Sequence, residues 1–199
     1  MRAALILLAV SFALLLPLVA RAQSSLDVPR YELGLQLNVA YLNGVSDWGG
    51  GLGGRFHYNF NEHLAFDSEL LFRQNNVPAI TPSNPTPVAG QTTGLFGVRA
   101  GERFENFGVF AHARGGFLHF GSAGGSSLLS QSTVPAFDIG MTLERYAGPA
   151  IFRFDVGEMI VPYGSATLFQ SPLAPQIPPP GPLGTRANPT IEFGVAFRF

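Results

Sequence analysis

A serine nucleophile needs a histidine to take its proton and a carboxylate to orient that histidine. The stretch that comes nearest to this composition is His119-Phe120-Gly121-Ser122, followed by Ser126 and Ser127. Serine-rich loops are ordinary, so the grouping is a weak candidate. The run Gly49-Gly50-Gly51-Leu52-Gly53-Gly54 lacks the lysine and the following helix that give a phosphate-cradling loop its chemistry. It reads as a flexible hairpin loop entering a strand, with Trp48 beside it as an anchor at a membrane interface. No histidine grouping has metal-ligand spacing, and the absence of cysteine removes thiolate ligands, thiol nucleophiles and disulfides. No catalytic residue, cofactor or metal ligand is therefore assigned.

The chemistry that remains is ionic. It lies in Arg55, Arg73, Arg99, Arg103, Arg114, Arg153 and Arg198, with Glu32, Asp67, Glu69, Asp138, Glu144, Asp155 and Glu192. Every basic residue of the chain is arginine, whose planar fork binds carboxylates in bidentate fashion. If these charges share one enclosed face they must pair, because an unpaired buried charge is costly. The alternative is a solvated face. His57 and His112 read as further members of the polar set, and His63 as a turn residue.

The elements that carry these residues are strands. Apolar residues recur with a period of two, broken by Gly, Pro and Asn, where a helix would space them by three and four. In the last strand Ile191, Phe193, Val195, Phe197 and Phe199 alternate with Thr190, Glu192, Gly194, Ala196 and Arg198. The first strand repeats the scheme over residues 31–41, and six more fall between, near residues 52–60, 64–73, 96–104, 107–117, 137–144 and 152–163. The fold class is all-β, an eight-stranded antiparallel up-and-down barrel. In the seventh strand, strict alternation sends Glu158 to the apolar side. A bulge at Gly157-Glu158 would repair this and turn Met159, Val161 and Tyr163 outward.

Residues 1–22 stand apart from this pattern. Arg2 precedes an apolar run ending at Val19, and Ala20-Arg21-Ala22 has the small-x-small form of a cleavage site, so the segment reads as a secretory signal peptide. The barrel then occupies residues 23–199, with ten arginines against thirteen acids, a balance that excludes a nucleic-acid surface. Charged residues make up only 13% of the chain, too few to clothe a soluble surface and consistent with one that meets lipid.

Connections alternate in length. Residues 61–63, 105–106 and 146–149 form tight turns, whereas residues 43–51, 75–91, 119–134 and 164–188 form longer loops, two of them proline-rich. Short turns on one rim and long loops on the other match the periplasmic and extracellular ends of an outer-membrane barrel. Phe60, Phe104 and Tyr146 beside the short turns suit an interfacial aromatic girdle.

A signal peptide, alternating strands and the closing Ile191-Glu192-Phe193-Gly194-Val195-Ala196-Phe197-Arg198-Phe199 together resemble the outer-membrane β-barrel family that includes the OmpA transmembrane domain and OmpX-type proteins. The resemblance implies an integral outer-membrane protein with a structural or surface-interaction role. Its partners would be outer-membrane lipid and lipopolysaccharide, with loops open to an extracellular ligand. It also implies that Val195, Phe197 and Phe199 carry the signal read by the outer-membrane assembly machinery. Barrels of this size have lumens filled by side chains, so a plugged interior is expected, with a narrow porin as the alternative. Some barrels of the class modify lipid A, but the spacing at His119 does not reproduce the histidine-x-serine pattern of the deacylases. A soluble lipocalin-like barrel would require the opposite orientation, with the apolar face inward.

Overall fold

The computed structural model describes residues 28–43, 47–76, 88–123, 126–127, 132–165 and 182–199. The segment read as a leader and most of both proline-rich loops lie outside this set. The strands are β1 (Tyr31–Leu42), β2 (Asp47–Asn59), β3 (Leu64–Asn76), β4 (Val88–Arg103), β5 (Phe107–Phe120), β6 (Ser122–Ala123), β7 (Ser126–Ser127), β8 (Thr133–Ala147), β9 (Ala150–Gly164) and β10 (Gly184–Arg198). Eight of them close into one antiparallel barrel in the order β1-β10-β9-β8-β5-β4-β3-β2, while β6 and β7 pair only with each other. The seam joins β1 to β10 over Glu32↔Arg198 through Ala40↔Thr190. Tyr31 and Phe199 exchange backbone hydrogen bonds at 3.1 and 3.0 Å, which brings both ends of the barrel to one rim.

Side-chain direction settles which reading of the alternation is right. Phe193 and Phe197 are 56% and 58% exposed, whereas Glu192 and Arg153 are 3% and 6% exposed. The oily face points out and the ionic face in, the reverse of a lipocalin. A strand inclined by about 40° rises roughly 2.5 Å per residue along the barrel axis. Strands of 12 to 16 residues therefore overreach an apolar band about 25 Å tall and project beyond it.

Three tight hairpins define the near rim. Asn61 turns the chain between β2 and β3 by accepting the N–H groups of His63 and Leu64, both at 2.8 Å. Phe104 N–H donates to Phe107 O at 2.7 Å between β4 and β5. The Gly148-Pro149 loop between β8 and β9 needs a positive φ at its first residue, and Gly148 supplies 59°. Proline cannot adopt positive φ, so the turn is of the type II′ form.

Several expectations are corrected. Tyr146 does not join the girdle: it points into the barrel, where its hydroxyl finds a carboxylate, while Phe60 faces outward. The glycine run is strand, since β2 begins at Asp47, so the first outer connection shrinks to residues 43–46. No side chain would fit at Gly51, whose Cβ would collide with the stem of Arg73 on β3. The predicted bulge at Gly157-Glu158 is absent. Glu158 pairs with Ile139 and Pro189 and faces outward, while Met159, Val161 and Tyr163 are buried inside. Glu158 stands about 20 Å above the near rim, in the outer part of the apolar band, where a carboxylate costs little and can reach the interface. A flip of parity would have hollowed out the internal cluster of Leu95, Leu118, Phe120, Val134, Met159, Val161 and Tyr163.

Candidate functional site

The interior of the near half of the barrel is an ion-pair lattice. Its lowest layer is built on two acids, Glu32 from β1 and Glu144 from β8. Glu32 accepts from Arg99 at 2.9 Å, Arg103 at 2.8 Å and Arg153 at 3.1 Å, from strands β4 and β9. Asn59 adds a bond to Glu32 at 2.9 Å, and His57 Nδ1 lies 3.0 Å from its other oxygen. Glu144 is bonded by Arg99, by Arg153 at 3.0 Å and by the Tyr146 hydroxyl at 2.9 Å.

The layer above is centred on Arg55 and Arg114. Arg55 reaches Glu69 at 2.5 Å, Asp155 at 2.9 Å and also Glu192, which joins β2 to β3, β9 and β10. Arg114 pairs with Asp138 at 2.6 Å and with Glu69. Asp67 lies 3.0 Å from His57 Nε2 and within 4 Å of both arginines, and His112 Nε2 lies 2.9 Å from Asp138. These side chains are nearly fully buried, so the attraction acts with little screening by water or salt.

Two residues predicted for the lattice stand outside it. Arg198 is half-buried at the rim, where its Nε donates to Gly148 O at 3.0 Å and its guanidinium lies 5.0 Å from the Tyr146 ring. Its inward position is the last on β10; Glu32 stands opposite it on β1, but that carboxylate is bonded by Arg99, Arg103 and Arg153. Arg73 is buried and inward, yet it forms no ion pair among the described residues. Sequence reasoning also left Tyr146, Gln91 and Thr93 out of the lumen, the last two because their strand begins well before the apolar alternation at Phe96 becomes visible.

Within the lattice, one group of described residues has the spacing of metal ligands, but arginines compete for its acids. The oxygen and nitrogen atoms of Glu32, His57 and Glu144 lie within 4.8 Å of one another, a separation that could hold an ion. Arg99, Arg103 and Arg153 already occupy the positive side of that group. His119, the candidate base, faces outward with Nδ1 2.8 Å from Thr133 Oγ1. The side chains of Ser122, Ser126 and Ser127 lie outside the described set. On the outer surface, Val195, Phe197 and Phe199 stand exposed along the last strand.

A closed eight-strand barrel with an oily exterior and a lumen packed with paired charges defines an integral outer-membrane barrel. Residues 10–199 match the family model described as "Outer membrane protein beta-barrel domain", and the chain belongs to that family. The protein is accordingly placed in the outer membrane. No curated protein matches it in sequence. Among solved structures it is similar to neisserial surface protein A, with 14% identity, a TM-score of 0.53 and coverage of 85% of this chain and 96% of that one. It is likewise similar to OprG of Pseudomonas aeruginosa, with 10% identity, a TM-score of 0.53 and coverage of 86% and 96%. At these identities the likeness is one of fold.

Proposed function

We propose that this protein is a non-catalytic, non-conducting barrel of the OmpA-domain and OmpX type, with a structural or surface-interaction role in the envelope. One observation carries the reading: Arg55 spans the lumen to Asp155, three strands away around the ring, and the layer below it is bridged in the same way by Arg99 and Glu32. Side chains bonded across the bore leave no continuous water path.

In this proposal a cleaved leader directs export, and the assembly machinery reads Val195, Phe197 and Phe199. Lipid and lipopolysaccharide surround the apolar belt, and the outer loops meet any extracellular ligand. Planar-bilayer recording of the refolded protein tests it. The expected result is silence or rare brief events; steady, large conductance, as from a diffusion porin, would overturn it.

A further inference from the structure

The belt that meets lipid is not evenly clothed. Glycines face outward at Gly50 and Gly54 on β2, Gly90 and Gly94 on β4 and Gly115 on β5. Apart from the last residue of β9 and the first of β10, the other strands of the ring have no outward glycine among the described residues. Neighbouring rings fill two of these gaps: Phe117 lies over Gly94, and the Phe137 ring stands 3.6 Å from the point where a Cβ on Gly115 would lie. The other three stay open. A Cβ on Gly50 or Gly90 would meet nothing within 4 Å, and one on Gly54 only the Gly34 carbonyl oxygen at 3.8 Å.

The open glycines floor a groove. Its upper part has a volume of about 630 Å³ and runs over Gly50 and Gly90 beside Leu37, Leu52 and Phe72, each more than half exposed. Its lower part, about 320 Å³, continues past Phe72 over Gly54 and Ser68, whose hydroxyl is satisfied within the wall by donating to Phe56 O at 3.2 Å. Both volumes are of ligand-site size, roughly 300–1,000 Å³.

What fills the groove follows from where it lies. Water is absent from the hydrocarbon, and an unfilled gap there forfeits the dispersion contacts of the atoms that line it. From Gly50 to Phe56, β2 descends about 15 Å at roughly 2.5 Å per residue, half of a hydrocarbon core about 30 Å thick and so the depth of one leaflet. The upper end is polar: Thr92 is opposite His119, whose Nδ1 lies 2.8 Å from Thr133 Oγ1. A groove that is apolar along its length and polar at the outer interface has the polarity of a lipid. A second barrel fits it poorly, because Leu37, Leu52 and Phe72 stand above a floor that another convex wall could not reach.

We propose that the outer face of β2, β3 and β4 seats one acyl chain of an outer-leaflet lipid, with its head group level with Thr92 and His119. Lipid tails are as apolar as leucine, so the chain is held by close contact along the groove and not by a hydrophobic gain. The site rests on the lipid contact proposed above and is independent of the closed bore.

The test is native mass spectrometry of the barrel released from micelles containing dimyristoyl phosphatidylglycerol. The wild type should keep one lipid under activation that strips the rest. Gly50→Leu combined with Gly90→Leu fills the groove at positions where a Cβ meets no neighbour, and should lower the occupancy about tenfold; Gly54→Leu alone should lower it several-fold. Dihexanoyl phosphatidylglycerol, with the same head and short chains, should bind about tenfold more weakly. Quenching of Trp48, exposed two positions above Gly50 on the same face, by chain-brominated lipid checks that the belt of each protein meets lipid. With that quenching intact, equal occupancy in the wild type and the filled variants, equal retention of the short-chain lipid, or no retained lipid at all overturns the groove and leaves the lipid-facing belt standing. A dimer that the leucine variants abolish gives the groove to a second copy of the chain, with the same consequence. Loss of quenching in the wild type would instead overturn the orientation on which the site rests.

Discussion

Replacing Glu32 by glutamine tests whether the lattice holds the barrel together. The substitution keeps the shape and removes one charge. In the wild type, Arg99, Arg103 and Arg153 face two acids, Glu32 and Glu144. In the variant, Glu144 is the one anion left beside three guanidiniums, and Arg103 faces only neutral acceptors, Asn59 at 2.8 Å and the substituted amide oxygen, beside the Phe110 and Tyr146 rings. Breaking a buried pair by removing one partner costs about 3–5 kcal/mol. At about 2 kcal/mol per molar urea this lowers the unfolding midpoint by roughly 2 M. The assay is urea unfolding in lipid vesicles followed by the fluorescence of Trp48, the single tryptophan, which sits exposed on the outer face. The control is Glu102→Gln, which removes a rim contact 3.3 Å from His63, itself 44% exposed, and should change stability by less than about 1 kcal/mol. Raising the salt should not close the gap between the variants, because the pairs in question are buried. If Glu32→Gln unfolds at the same urea concentration as Glu102→Gln, the lattice does not clamp the strands and the energetic argument fails.

Two further substitutions probe packing and orientation by the same assay. Gly97→Ala places a methyl against the carbonyl oxygen of Ala113 and 2.7 Å from Cα of Arg114, so it should destabilise by about 1–3 kcal/mol; a neutral result would mean that β4 and β5 can part without cost. Met141→Arg, on the outer face near the middle of the apolar band, should cost about 2–4 kcal/mol, whereas Glu158→Leu should be neutral or slightly stabilising. A large loss on Glu158→Leu would show that its carboxylate has a partner that lipid-facing geometry does not explain.

The barrel itself was legible because alternation is a property of neighbours in sequence. Phe193 and Glu192 announce opposite faces without reference to anything else in the molecule. The lattice was legible only as a set of charges on one face. That Glu32 rather than Asp67 gathers three arginines depends on the stagger between strands, which no single strand encodes. Strand ends were less legible still. The run from Gly49 to Gly54 has almost no side chains to alternate; it is strand because its backbone pairs with β1 on one side and β3 on the other, and Arg73 fills the space above Gly51. Glu158 misled for a related reason: its cost depends on height in the membrane, and the count of residues above the near-rim turn sets that height.

Parity also explains why charge is concentrated where it is. A slip of one residue between neighbouring strands would turn every side chain of a strand to the opposite face. In the near half of the barrel such a slip would drive Glu32, Arg99, Arg153 and Glu192 into hydrocarbon while filling the lumen with Phe152, Phe193 and Phe197, so the two faces specify the same register twice. In the far half the inner rows hold Gln36, Asn38, Gln91, Thr93 and apolar residues, and Arg73 is the one unpaired charge among the described positions there. Register at that end is inherited from below, which frees its interior from the work of holding strands in place.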